Sequence, residues 1–249
     1  MLETLLGQGR PLLADGATGT NLFEMGLTSG DSPELWNANH PDRVLALHQS
    51  FVDAGADIIL TNSFGGNRRR LMLHQLEGRT RELNRLAAGI ARSAANRAGR
   101  PVAVAGSVGP TGDLLAPLGP ITEEEAYSIF LEQIEGLKEG GADVVWIETM
   151  SAPDEIRAAA RAAGALGMPY TVTASFDTAG KTMMGVAPAA LAQLTADFDP
   201  KPLAFGANCG VGASDLVMSI LAMTQAQPDA VVIAKANAGI PQWHGAHIH

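Results

Sequence analysis

Along the chain, short runs of nearly unbroken apolar residues alternate with longer stretches in which apolar residues return every three or four positions. The short runs fall at residues 12–19 (LLADGATG), 57–63 (DIILTNS), 101–109 (PVAVAGSVG), 143–150 (DVVWIETM), 170–176 (YTVTASF), 203–209 (LAFGANC) and 230–239 (AVVIAKANAG). Most do not alternate with polar residues, which predicts strands buried on both faces, as in a parallel sheet. The longer stretches, among them 41–56, 123–142, 153–167 and 213–225, predict helices. Thr122 followed by three glutamates marks a helix start, where a hydroxyl caps free amides and acids suit the positive end of the dipole.

Repeated strand-helix units fit either a closed (β/α)8 barrel or an open doubly wound sheet. The first strand is followed by DGATGTNLFEMG, which has glycines at Gly16 and Gly19 but not the G-x-G-x-x-G spacing of a dinucleotide fold, so the α/β TIM barrel is the expected class. Nothing resembling a linker, repeat or low-complexity tract divides the chain, so residues 1–249 are expected to form one domain. Seven strands are visible and only HGAHIH follows the KANAGIPQW that ends the seventh, so the barrel is expected to lack its last βα unit in this chain.

Composition narrows the function classes. Apolar residues at 46% and charged residues at 17% suit a compact α/β protein, and a formal net charge of −9 opposes nucleic-acid binding. The local NRRR at 67–70 is too short to reverse that, and reads as a solvated helix start. No apolar stretch approaches the length of a membrane span, the N-terminus lacks a signal-peptide pattern, and one cysteine cannot form an internal disulfide. The expected location is the cytoplasm.

In barrel enzymes the chemistry sits at the carboxyl ends of the strands. Asp15, Asn62, Ser63, Ser107, Glu148, Thr149, Ser175, Asp177, Asn208, Cys209 and Asn237 fall there. Asp15 and Glu148 both close apolar strands, where an unpaired charge is costly, so each needs a cation or a polar cavity. They suit an acid-base pair, a site for a substrate ammonium, or plain capping of loop amides. Cys209, the only cysteine, precedes a Gly-rich turn and a helix start that favours thiolate. None of His40, His48 and His74 falls at a strand end to serve as its base, which leaves metal ligation ahead of nucleophilic attack. Lys235, near the seventh strand end, is either a Schiff-base amine or a salt-bridge partner.

Taken together, LLADGATGTNLFEMGL, ELWN, DAGADIILTNSFGGNRRRL, AGSVGPTG, EEAYSIFLEQIEGLKEGGADVVWIETM, SFDTAGKTMMG, GANCGVG and ANAGIPQW resemble the homocysteine S-methyltransferase family across nearly the whole chain, in order. That family includes betaine-homocysteine methyltransferases and the homocysteine domain of cobalamin-dependent methionine synthase. The resemblance implies a (β/α)8 barrel and a zinc ion held by three cysteines, one of them in a G-x-N-C turn that Cys209 matches. The other two would lie in a tandem G-G-C-C-G stretch that this sequence does not contain. It further implies Asp15 and Glu148 as ligands of the amino-acid ammonium and backbone amides near Gly16 and Ala17 for its carboxylate. Asn62, Phe64 and Asn208 would shape the pocket.

The function so implied is zinc-dependent methyl transfer to the thiol of homocysteine, giving methionine. The donor is open among betaine, a dimethylsulfonio compound, S-methylmethionine and a methyl-corrinoid protein. A catalytically incomplete homologue that binds an amino acid, or completes its barrel on a partner, is the second reading, and a barrel lyase or aldolase using Lys235 the third. His244, His247 and His249 are alternative zinc ligands, against a plain tail. An open barrel edge favours a homo-oligomer, with neither nucleic acid nor membrane as partner.

Overall fold

The computed structural model describes residues 1–177, 179–210 and 212–239, together with the backbone of 243–244 and 247–248. His249 and the side chains of His244 and His247 lie outside the described residues. Six strands, β1 (Ile58–Leu60), β2 (Ala103–Val108), β3 (Val144–Met150), β4 (Tyr170–Ala174), β5 (Ala204–Cys209) and β6 (Val232–Ala236), form one parallel sheet in the order of the sequence. Backbone pairs at 243–244 and 247–248 form a separate two-stranded ribbon, β7 and β8.

Helices intervene: α1 (Leu2–Leu6), α2 (Gly19–Glu24), α3 (Trp36–Asn39) and α4 (Pro41–Asp53) precede or flank β1, and α5 (Arg68–Leu71) and α6 (Thr80–Arg97) lead to β2. Single helices then connect successive strands: α7 (Glu123–Glu139), α8 (Pro153–Ala165), α9 (Pro188–Ala196) and α10 (Ala213–Ala226). Thr122 caps α7 in a capping box, its hydroxyl accepting from Glu125 N at 3.2 Å while Glu125 takes the Thr122 N–H at 2.7 Å. The NRRR run starts α5 with Asn67 as cap, and Arg68 and Arg69 pair with Glu132 and Asp113. No helix among the described residues is long and apolar enough to cross a membrane.

The expected first strand, 12–19, contracts to a single bridge, Ala14 to Ile58. Its cause is Asp15: the side-chain oxygen Oδ2 takes the Leu60 N–H at 2.7 Å, the rung a continuing strand would fill with a backbone carbonyl. Counting the Ala14 bridge beside β1 as well as the six strands, six inter-strand steps of about 4.8 Å would separate Asp15 from β6 by roughly 29 Å in a flat sheet. Instead Lys235 on β6 reaches Asp15 at 2.9 Å, so the sheet is rolled into a partial barrel.

The period-2 rule then sorts every strand. Phe205, Ala207, Val172, Ala174, Val145 and Ile147 face outward into the main core beneath the helices. Ile58, Leu60, Ala103, Ala105, Val144 and Trp146 face inward, and Leu2 and Leu5 of α1 pack against them. One step further toward the carboxyl ends, the same inward faces turn polar at Asn62, Ser107, Glu148, Asn208 and Lys235. β6 departs from the expected full burial, with Val232, Ile233 and Lys235 partly buried and Ala234 and Ala236 exposed, because it pairs on one side only.

Candidate functional site

The polar inward layer surrounds a cavity of about 560 Å³ at the carboxyl end of the sheet. Asp15, Gly16, Ala17, Asn62, Phe64, Glu148, Asn208 and Cys209 all line it, together with Glu34, Ser107, Thr149, Lys235 and Asn237. A groove of about 670 Å³ between α8 and α9 is larger, but its Arg157 and Arg161 are already paired with Asp154 and Glu124.

Each carboxylate has a distinct setting. Asp15 is 5% exposed; its Oδ1 accepts from Lys235 Nζ at 2.9 Å and its Oδ2 from Leu60 N. Burial pushes its carboxyl above the usual range, opposed by the Lys235 charge and hydrogen bond and by the Leu60 N–H. Glu148 accepts the Ser107 hydroxyl on Oε1 at 2.5 Å, while Oε2 has only a 3.5 Å approach from the Asn208 amide. Burial pushes this carboxyl up as well; the Lys235 charge and the Ser107 bond pull it down, and Asp15 adds to the rise. Glu148 is therefore the acid with no cation in contact.

Cys209 and Thr149 reach the cavity by breaking the strand alternation. Both are in the left-handed region, with φ of 57° and 61°, and a register irregularity in β3 lies between Ile147 and Met150. For a β-branched threonine such a backbone is strained and persists only where neighbours hold it. Asn208 does so: its Oδ1 accepts from Thr149 N at 2.9 Å and from the Thr173 hydroxyl at 2.8 Å, and its Nδ2 donates to Thr149 Oγ1 at 2.7 Å. The Nδ2 also lies 3.3 Å from Cys209 Sγ. Asn208→Ala is expected to cost about 2 kcal/mol, since it orphans the part-buried Thr149 N–H and the buried Thr173 hydroxyl, measured as a lower urea midpoint at unchanged slope.

The expectation that a helix start would favour the Cys209 thiolate is corrected. Burial pushes this thiol up, Thr149 pulls it down, Glu148 pushes it further up, and Lys235 and Asn208 oppose. His40, His48 and His74 stay away from the cavity, and His48, buried on α4, is lowered to about 4 by burial.

The mouth is braced from β1. Asn62 Nδ2 donates to Pro33 O at 2.7 Å, and Glu34 Oε1 takes the Gly65 N–H at 2.7 Å. Glu34 carried no strand-end signal, because it sits on the one-turn 3-10 helix Pro33–Leu35. Ser107 and Thr149 did lie at strand ends, but their roles as partners of Glu148 and Asn208 needed the fold. Asn237 anchors the β6 exit, donating to Gly210 O at 2.9 Å. Ser175 lies 3.4 Å from Asp177, and neither lines the cavity.

Among the described residues no group of three His, Cys, Asp or Glu is placed to hold a metal ion. Cys209 is the single thiol, Asp15 is engaged by Lys235 and Leu60, and Glu148 by Ser107. These residues do not by themselves fit a three-ligand zinc centre.

Comparison with known proteins agrees with the barrel. The structure matches a metallated homocysteine methyltransferase from Escherichia coli with a TM-score of 0.80 and 23% identity, covering 96% of this chain and 87% of the other. An apo form of the same enzyme gives 0.77 at 23% identity, covering 96% and 86%. In sequence the chain is 30% identical to methionine synthase of Mycobacterium leprae over 97% of its own length and 21% of that protein. It is 29% identical to the Mycobacterium tuberculosis enzyme over 93% and 20%. The chain thus spans about one fifth of the curated relatives it matches. The family model described as homocysteine S-methyltransferase matches residues 12–249, which takes in every cavity residue named above, and the chain belongs to that family.

Proposed function

We propose that the cavity binds homocysteine and presents its thiol for methylation to methionine. The observation that carries this reading is the convergence of Asp15, Glu148, Asn208 and Cys209 on one cavity in a chain of this family. Glu148, whose Oε2 has only the 3.5 Å approach of the Asn208 amide, takes the substrate ammonium, and Asp15 holds Lys235 beside it. The N–H groups of Gly16 and Ala17, which have no partner among the described residues, face the carboxylate. Asn62 and Phe64 bound the side chain of the substrate, and its sulfur points toward Cys209.

In the transfer, a bond forms from the homocysteine sulfur to the methyl carbon as the bond from that carbon to an onium nitrogen or sulfur, or to a corrinoid cobalt, breaks. The leaving atom keeps the electron pair and the thiol proton passes to solvent. A free aliphatic thiol, with pKa near about 8.5, attacks slowly at neutral pH, so it needs a cation close by. A zinc-bearing form takes Cys209 as one ligand and needs two more from outside the described residues. Support for a metal comes from the E. coli structural relative, which is described as metallated, and support for a corrinoid donor from the methionine synthases. A cytoplasmic setting accords with this chemistry.

A second reading, binding without turnover, is favoured by the lack of a three-ligand group among the described residues. The Lys235 lyase reading is less favoured, since that amine is engaged by the Asp15 carboxylate at 2.9 Å. The test is methionine formation from homocysteine with betaine, dimethylsulfoniopropionate, S-methylmethionine and a methyl-corrinoid protein, with and without zinc. The cavity is expected to bind homocysteine, and turnover is expected only where two further ligands join Cys209 around one zinc. Turnover with a chelator present would overturn the zinc requirement. Absence of homocysteine binding would overturn the function.

A further inference from the structure

The cavity contains a cation of its own. Lys235 projects from the last strand of the sheet into the cavity with its side chain 23% exposed, and its single hydrogen bond among the described residues goes to Asp15. An ammonium has three donors, so two are left to face the cavity. Asp15, in turn, has both oxygens filled, by Lys235 and by the Leu60 N–H. Directly after Asp15 in the chain come Gly16 and Ala17, whose N–H groups lack partners among the described residues. One corner of the cavity therefore gathers the Lys235–Asp15 ion pair, with two ammonium donors to spare, and N–H donors without partners among the described residues, while Glu148 offers a carboxylate whose Oε2 is approached only by the Asn208 amide at 3.5 Å.

We propose that Lys235 is the specificity residue for the substrate's carboxylate, pinned by Asp15 so that two of its N–H donors meet an α-carboxylate while Glu148 meets the α-ammonium. The site then reads a zwitterion with two opposite charges, and thiols lacking either group are disfavoured. This inference rests on the reading of the cavity as a homocysteine site. It divides the roles of the two acids: Glu148 contacts the ligand ammonium, and Asp15 positions Lys235. A substrate carboxylate between an ammonium and backbone N–H groups gains charge-assisted hydrogen bonds, which are stronger than those of N–H groups alone.

The test is calorimetric titration of homocysteine, 3-aminopropane-1-thiol (no carboxylate) and 4-mercaptobutanoate (no ammonium) into the 249-residue protein. Wild type is expected to bind homocysteine the most tightly of the three. Lys235→Met is expected to lose about tenfold or more for homocysteine and for 4-mercaptobutanoate, and nothing for 3-aminopropane-1-thiol. Lys235→Arg should recover part of the loss. Because Lys235→Met strands the buried Asp15, the double variant Asp15→Asn/Lys235→Met, which removes both charges, provides the same readout if the single variant does not fold. Equal losses for all three ligands, tighter homocysteine binding, or wild-type selectivity in the double variant would overturn the inference and leave the homocysteine reading standing. No binding of homocysteine by wild type would overturn both.

Discussion

Glu148→Gln is expected to weaken homocysteine binding by about 10- to 100-fold, the equivalent of losing one charge-assisted hydrogen bond at roughly 1.5–3 kcal/mol. The amide keeps the shape of the side chain and can still accept the Ser107 hydroxyl that Oε1 accepts at 2.5 Å, so the loss isolates the charge. The same variant is expected to be more stable than wild type. Glu148 is buried with no cation in contact, and burial holds its carboxyl above the usual range. In the window between the ordinary carboxylate value and the raised one, the unfolded chain has released the proton and the folded chain still holds it. Folded-state stability therefore falls as pH rises through that window, and the fall is absent in the glutamine variant. The gain above the window is about 1 kcal/mol, of the size found when a strained functional group is neutralised.

Binding in wild type carries the opposite pH sign. An arriving ammonium ionises Glu148, so a proton is released and affinity rises with pH through the same window. Calorimetry in two buffers of different ionisation enthalpy counts that proton, and thermal unfolding between pH 4 and pH 8 follows the stability. An unaltered affinity in Glu148→Gln would remove this acid from the substrate. A variant less stable than wild type at pH 8 would show that its charge is compensated in the fold.

Much of this site could be read from the strands alone, because the residues follow a period of two. Ile58, Leu60 and Asn62 share a face, as do Ala103, Ala105 and Ser107, and Val144, Trp146 and Glu148. In each triplet two apolar residues fill the barrel and the third, at the carboxyl end, enters the cavity. What escaped the pattern escaped for physical reasons. Cys209 and Thr149 were placed at strand ends by position, but they are off the alternation and turn into the cavity through left-handed backbone, which no apolar periodicity encodes. The contraction of the first strand depends on the Asp15 carboxylate replacing a backbone rung. Lys235 was visible as a strand-end amine, but its choice of Asp15 required the curvature that brings residues 220 positions apart into contact.

That curvature puts one glycine under a heavy constraint. Gly206 faces inward on β5 opposite Ile233 of β6, and a Cβ placed on it would lie 1.9 Å from the Ile233 carbonyl oxygen. Ordinary contact needs over 3 Å, and the opposing atom is backbone, so no rotamer change relieves the overlap. Gly206→Ala is expected to destabilise the protein by about 3–4 kcal/mol, as the upper range of overpacking costs. Relief comes from β6, which pairs on one side only and is partly exposed, so the variant is expected to part β6 from β5 before the rest of the sheet loosens. Parting these strands withdraws Lys235 from Asp15 while Asn208, held by Thr149 and Thr173, stays in place. Hydrogen exchange is therefore expected to rise first along 232–236, together with a drop in homocysteine affinity resembling that of Lys235→Met. Uniform exchange across all six strands would show instead that the overlap is borne by the whole barrel, and would break the link drawn here between the last strand and the charge of the site.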